Sequence, residues 1–354
     1  MNQAVIRWFA GERAWARCGG PARHAGRRRW CRILVFAAIV GAAAPAAAEL
    51  PAAADLITRM REAAAGLNYD GVVLYQRGMD VMTMRIIHRG VPGPESERIV
   101  TLDGPPREIV RDGRHVTCVF ADDRSVMVDK RGPHNPLAFG VDLDNGTLAA
   151  HYAFRTVGQE RVAGRATFAV AIQPKDPARY GYRLWVDAAN GMLLKSAVVA
   201  ADGRVLEQTR FTTVAFPERI ADDLLEPQFT DQQFAWFSYD AGESAQERNG
   251  PQEGASAREV WAVNWLPAGF EMTDEAEEQF IDHDYRILHR VYTDGLAMVS
   301  VFVEPGGGAG ARDLGFGSIG AINTFSRLSK GYKVTVVGEL PRTTISRIAA
   351  SVEA

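Results

Sequence analysis

Cysteine is scarce in this chain: three in 354 residues, at positions 18, 31 and 118. The first two lie in or before an export signal described below, so the exported chain keeps Cys118 alone. One thiol makes no internal disulfide. Cys118 sits in the β-like run 115–120, where a buried, inert thiol is the expectation. Basic clusters are missing as well. The first 48 residues hold eight of the 40 Lys and Arg and one of the 43 Asp and Glu, which leaves 32 basic against 42 acidic groups, a net charge of about −10. Nucleic-acid binding needs clustered cations that release counterions, so no nucleic-acid partner is expected. After residue 49 no apolar run approaches the length of a bilayer-crossing helix. HExxH, Gly-x-Ser-x-Gly, Walker and CxxC motifs are all absent, so neither a metal nor a cofactor is expected.

Six histidines follow the signal, at 88, 115, 134, 151, 283 and 289, without metal-site spacing. His283 with Asp282 and Asp284 is the one weak hint of catalysis, and an enzyme is the least favoured class. The acidic run 274–284 reads as an exposed face. Residues 315–320 spell GxGxxG, but the preceding strand ends near Glu304 and only 34 residues follow, too few for a doubly wound dinucleotide fold. The stretch reads as a loop leading into a helix.

What is present begins with an export signal. Arg27, Arg28, Arg29 and Arg32 make a basic start, residues 33–44 are mostly apolar, and Ala46-Ala47-Ala48 precedes Glu49 as a small-residue cleavage pattern. Residues 1–48 are therefore read as a signal peptide and the periplasm as the destination.

Helical spacing of Leu56, Ile57, Met60, Ala63, Ala64 and Leu67 predicts a helix capped by Asp55. The period then changes to two. Strands are expected at 71–76, 81–88, 97–102, 107–111, 115–120 and 125–130, separated by Gly, Pro and Asp turns. Pro133 and Pro136 mark a loop, and 147–154 suits a short helix. Five further strands read at 155–161, 166–174, 181–187, 193–200 and 205–215. A sheet of about eleven antiparallel strands curls toward a barrel.

Residues 227–258 read as a polar linker, so the expected domains are 49–226 and 259–354. In the second, strands are expected at 259–264, 285–293, 297–303 and 332–338, with helices at 319–328 and 343–352. Met82, Met84 and Ile86 share one strand face. Val126, Val128, Leu184 and Val186 are taken to join them if their strands alternate alike. Unbranched Met suits an adaptable apolar cavity, although the same residues also suit an ordinary core.

Segments 67–71, 102–108, 161–165, 174–187, 265–270, 323–327 and 331–339 occur in this order and span nearly all of the exported chain. In them the chain resembles the MucB/RseB family of periplasmic regulators of the extracytoplasmic-stress sigma factor. The resemblance implies an α+β, mostly β, fold. Its first domain is an unclosed antiparallel β-barrel partly covered by helices, similar to the lipoprotein carriers LolA and LolB, and a smaller C-terminal α+β domain follows. It implies a negative regulator that binds the periplasmic region of a membrane-spanning anti-sigma factor and shields it from proteolysis. It further implies that lipid or lipopolysaccharide fragments in the apolar cavity release it. A periplasmic lipid or lipoprotein carrier is the alternative, and a homo-oligomer stays open. Trp261, Trp265, Phe270 and Tyr332 are candidate aromatic anchors for the partner, or equally members of that domain's own core. Arg165, Arg179 and Arg183 suit either lipid phosphates or strand carboxylates.

Overall fold

The computed structural model describes residues 50–90, 95–113, 115–129, 147–228, 234–239, 261–279, 286–306 and 314–354. The signal peptide, the loop at 133–136, His134, the Asp282–Asp284 cluster with His283, and most of the expected linker lie outside these residues.

Helix α1 (Ala53–Gly66) opens the described chain, with Leu56, Ile57, Met60 and Ala63 buried along one stripe. It starts before the expected cap. Ala52 holds the N-cap position without a side-chain hydrogen bond, and Asp55 sits in the first turn, where its charge meets the positive end of the helix dipole. Leu67 ends the helix in an extended conformation, its N–H returning to the Ala63 carbonyl.

Alternating sequence then builds a large sheet. Its first half comprises β1 (Tyr69–Arg77), β2 (Asp80–Arg89), β3 (Ser96–Thr101), β4 (Arg107–Arg111), β5 (Val116–Phe120) and β6 (Ser125–Asp129). A single helical turn, α2 (Thr147–His151), precedes the second half. That half comprises β7 (Tyr152–Val162), β8 (Arg165–Pro174), β9 (Gly181–Asp187), β10 (Leu193–Val199) and β11 (Val205–Ala215). One strand was not expected: β12 (Ala235–Tyr239), inside the supposed linker, pairs parallel with β6. The order across the sheet is β12-β6-β5-β4-β3-β2-β1-β11-β10-β9-β8-β7. Strands β12 and β7 each have one neighbour, so the sheet is unclosed.

Helix α1 lies on one face, packed against Val170, Ile172, Tyr182, Leu184, Val186 and Val198. On the opposite face Ile87 packs with Ile220 and Leu225. There Arg98 is buried in an ion pair with Glu108 and also donates to the Leu224 carbonyl at 3.3 Å. The Gln228 amide donates to the other oxygen of Glu108 at 2.8 Å.

A separate six-stranded sheet follows the two-residue β13 (Ala262–Val263). It contains β14 (Glu271–Gln279), β15 (Arg286–Thr293), β16 (Met298–Pro305), β17 (Gly315–Ile319), β18 (Ile322–Ser329) and β19 (Tyr332–Gly338), in the order β14-β15-β16-β19-β18-β17. Helix α3 (Arg342–Ser351) then covers one face, and β20 (Val352–Glu353) pairs with β13. Its Ile345, Ile348 and Ala349 pack on Val301, Val334 and Val336. Two expectations for residues 315–328 need correction. Residues 319–328 form no helix: β17 and β18 are a hairpin whose turn is Gly320-Ala321, and the GxGxxG stretch is a strand leading into that turn. The acidic stretch from 271 to 279 is the edge strand β14, with Asp274 turned to solvent. Such charge on an edge discourages further strand addition. Among the described residues, no helix is long and apolar enough to cross a membrane.

Candidate functional site

Residues paired directly across neighbouring strands share a face, so register decides which candidates meet. Met82 pairs with Tyr75, Tyr75 with Thr209, Thr209 with Ser196 and Ser196 with Leu184. Met82, Met84, Ile86, Leu184 and Val186 therefore all lie on the α1 side. Leu184 and Val186 are fully buried beneath the helix as core. In the other direction Ile86 pairs with Ile99, Ile99 with Ile109, Ile109 with Cys118 and Cys118 with Met127. Met127 thus belongs to the α1 side, and Val126 and Val128 face the opposite way. The apolar residues that join Met84 and Ile86 are Ile99, Ile109 and Met127. The half-buried Cys118 thiol, which is in no disulfide, stands among them. Sequence alternation cannot reveal this, because each turn length resets the parity of the next strand.

The same face carries charge at one end. Tyr69, His88, Glu97 and Arg111 lie in one cross-strand row. The Tyr69 and His88 rings stack at 4.6 Å. Nδ1 of His88 donates to the Leu67 carbonyl at 2.9 Å, leaving Nε2 toward Glu95 at 3.3 Å. Tyr69 donates to Glu97 at 3.4 Å, and Arg111 approaches the other oxygen at 3.2 Å. Burial pushes the Glu97 carboxyl above the usual carboxylate range, with the Arg111 charge acting against it.

A second polar cluster joins the two sheets. Arg179, between β8 and β9, is fully buried, and its Nε donates to Asp294 at 2.7 Å. Its other nitrogens donate to Asp176 and to the Ala268 carbonyl, and the guanidinium lies 5.4 Å from the Phe270 ring. Tyr152 donates to the same Asp294 oxygen at 2.9 Å. The other Asp294 oxygen accepts the amides of Leu296 and Ala297 and so holds the β15–β16 turn. Nearby, Asn323 donates to the Tyr180 hydroxyl at 2.9 Å, and Thr344 donates to the Ala178 carbonyl at 3.0 Å. Glu207 of β11 accepts the Ala321 amide and the Tyr75 hydroxyl, each at 2.9 Å.

Gly320 makes this approach possible. Its φ is +60°, and an added Cβ would collide with the Arg77 and Glu207 side chains. Gly320→Val is expected to cost about 2–3 kcal/mol through strain and lost docking. Urea unfolding checks this, and an unchanged midpoint would mean the hairpin turn is not seated as described.

The aromatic candidates divide. Trp261 (4% exposed) and Phe270 (8%) are buried in the core of the small sheet, so neither is an exposed anchor. Trp265 is half-buried beneath the Arg347 guanidinium at 3.9 Å. Tyr332 (38%) is exposed and rests edge-on against Trp261 at 5.4 Å. Arg179 and Arg165 are likewise occupied, the latter by Asp187. Among the described residues no His, Cys, Asp and Glu group is arranged to hold a metal.

Two family models match consecutive parts of the chain, the MucB/RseB N-terminal domain over residues 52–229 and the MucB/RseB C-terminal domain over 255–353. The chain belongs to the MucB/RseB family. Its MucB/RseB relatives include the sigma factor AlgU regulatory protein MucB of Pseudomonas aeruginosa, 30% identical over 90% of this chain and 96% of that protein. The sigma-E factor regulatory protein RseB of Escherichia coli is 25% identical over 87% of this chain and 92% of its own. The structure of the Pseudomonas aeruginosa MucA/MucB complex matches with a TM-score of 0.65 at 28% identity, covering 85% of this chain and 99% of that one. MucB solved in complex with MucA(peri) matches with a TM-score of 0.63 at 29% identity over the same shares. The paired unclosed and small sheets are thus the MucB/RseB fold.

Proposed function

We propose that this chain acts in the periplasm as a negative regulator of an extracytoplasmic-stress sigma factor. It binds the periplasmic region of a membrane-spanning anti-sigma factor, shields that region from its first protease, and releases it when lipid or lipopolysaccharide binds. The observation that carries this reading is the match of both MucB/RseB models, in order, to a chain whose two sheets dock through a buried polar junction. The complex of a relative with MucA(peri) supports the choice of partner. The apolar α1-side row from Ile86 to Met127 offers a surface for acyl chains.

Release by lipid is a matter of linkage. A lipid frees the partner only if it binds the partner-free arrangement better, and by the free energy with which the partner disfavours the lipid. A coupling of about 1–3 kcal/mol changes affinity roughly 5- to 150-fold. Titrating the chain with the periplasmic segment of its anti-sigma factor, with and without lipopolysaccharide, should show affinity falling within that range. Equal affinity in both arms would remove the gating. No binding in either arm would remove the partner.

A further inference from the structure

The two edges of the small sheet are built differently. Strand β14 has five acids in its nine residues, among them the exposed Glu271 and Asp274, and its register breaks between Met272 and Asp274. Charge and a bulge are two common guards against an incoming strand. Strand β17 has neither. Gly315-Phe316-Gly317-Ser318-Ile319 holds no charged residue and pairs with β18 without a break. All of it after Gly315 is exposed.

The hairpin determines which backbone groups of β17 are free. Around a two-residue turn the flanking residues exchange hydrogen bonds, and the exchange alternates along the ladder. Ile319 with Ile322, Gly317 with Thr324 and Gly315 with Ser326 are therefore the bonded pairs. The N–H and C=O groups of Phe316 and Ser318 point outward, away from β18. Nor does the fold itself require Gly317. Its φ lies outside the left-handed region, and an added Cβ would meet only Thr324, at an ordinary 3.7 Å. A strand glycine with no internal reason is a mark of close approach by another backbone.

Charge indicates what kind of chain would approach. From Leu314 to Tyr332 there is no acidic residue. Arg342, in the first turn of α3, holds its guanidinium 4.5 Å from the centre of the Phe316 ring, and that ring rests on Phe325 at 4.5 Å. The first turn of α3 contains no acid, and no carboxylate pairs with Arg342 among the described residues. A cation there opposes the helix dipole, so α3 alone gives no reason for it. We propose that β17 is a docking edge to which an extended segment of a protein partner adds as a seventh strand. The segment carries an acid opposite Phe316, on the face it shares with Arg342, and apolar residues at the alternate positions, on the face of Ile319. A second copy fits less well, because β17 paired antiparallel with itself brings two unpaired Arg342 side chains together. The proposal deepens the anti-sigma reading and rests on it for the identity of the partner.

The test titrates the exported chain with the periplasmic region of its anti-sigma factor and follows amide hydrogen exchange along β17. Binding should slow exchange at Phe316 and Ser318 roughly tenfold or more. Ser318→Pro removes an outward N–H and leaves the backbone ladder with β18 intact, so affinity should fall roughly tenfold or more. Arg342→Glu should weaken binding roughly three- to tenfold, with a smaller loss at high salt. It should melt no earlier than wild type, because an acid suits the first turn of a helix. Wild-type binding without protection of Phe316 and Ser318, or either variant binding as tightly as wild type, would overturn the docking edge and leave the anti-sigma reading standing. Protection that appears in the chain alone and rises with its concentration would overturn it in favour of a second copy. No binding by the wild type would remove both.

Discussion

Replacing Asp294 with alanine is expected to lower stability by about 3–5 kcal/mol, the cost of stripping a buried guanidinium of its counter-charge. Arg179 and Asp294 are both shut off from water, so solvent cannot take over when one partner is lost. Two losses compound this. Tyr152 loses its acceptor, and the amides of Leu296 and Ala297 lose theirs, which loosens the β15–β16 turn. Asp176 still touches Arg179 and sets the lower end of the range. Asp294→Asn keeps the shape while removing the charge, so it should fall between alanine and wild type. Converting Arg179 and Asp294 together to apolar residues of similar volume should recover much of the loss, because the desolvation penalty disappears with the pair. Denaturant unfolding followed by tryptophan fluorescence reads all four proteins, with Trp261 and Trp265 reporting on the small sheet. A midpoint for Asp294→Ala within error of wild type would show that the pair contributes nothing to docking.

Stability should also fall as pH rises from 5 to 8, through one carboxyl at the same junction. Glu339 follows β19, and its Oε1 is cut off from water. Burial and the neighbouring Glu207 charge push its pKa up to about 7, with the Tyr182 hydroxyl acting against them. Tyr75 and Tyr180 also feel its charge. A carboxyl whose folded pKa is raised binds more protons folded than unfolded between the ordinary value and 7. Its stabilising contribution is complete at low pH and is lost as pH climbs through that window. The span corresponds to about 3 kcal/mol at most. Glu339→Gln abolishes the titration, so the difference in favour of the variant should grow from under about 1 kcal/mol at pH 5 to nearly the full span at pH 8. Melting both proteins across that range cancels contributions from other groups. Parallel curves would show that Glu339 is ionised throughout.

Much of the large sheet is legible in sequence. Runs such as 71–76 and 181–187 alternate cleanly, and their Gly and Asp turns leave no room for anything but antiparallel neighbours. Four things are not legible, for different reasons. Strand β12 pairs in parallel with β6 more than a hundred residues away, and no local pattern announces such a partner. The run from Ile322 to Ser329 has enough apolar residues to pass for a helix. Its Phe325 nevertheless faces the α3-covered core while Ser326 and Thr335 bond on the other side, a period of two that Gly320 makes possible by turning the chain. Alternation alone sets Val126 and Val128 on the wrong face, because one residue of slip moves a whole strand to the other side, and it hides Met127 for the same reason. Buried aromatics mislead for a simpler cause. Trp261 and Phe270 have the composition of a binding anchor, and only the fold shows that the small sheet spends them on its own interior.

The place of β1 in the large sheet has a consequence for how the chain acquires its shape. Strands β2 to β6 form one run of adjacent neighbours and β7 to β11 another, each assembled from short hops along the chain. Among the described strands, the β1–β11 ladder alone joins them by hydrogen bonds, and it matches residues about 140 apart, such as Gln76 with Gln208 and Asp70 with Ala215. Closing so wide a loop is entropically unfavourable until most of its residues are present. Both meanders are therefore free to ripen early, while the seam between them waits for the far strand to arrive. A nascent chain halted short of residue 205 would carry β1 with one long flank still open, a ready template for a neighbouring molecule.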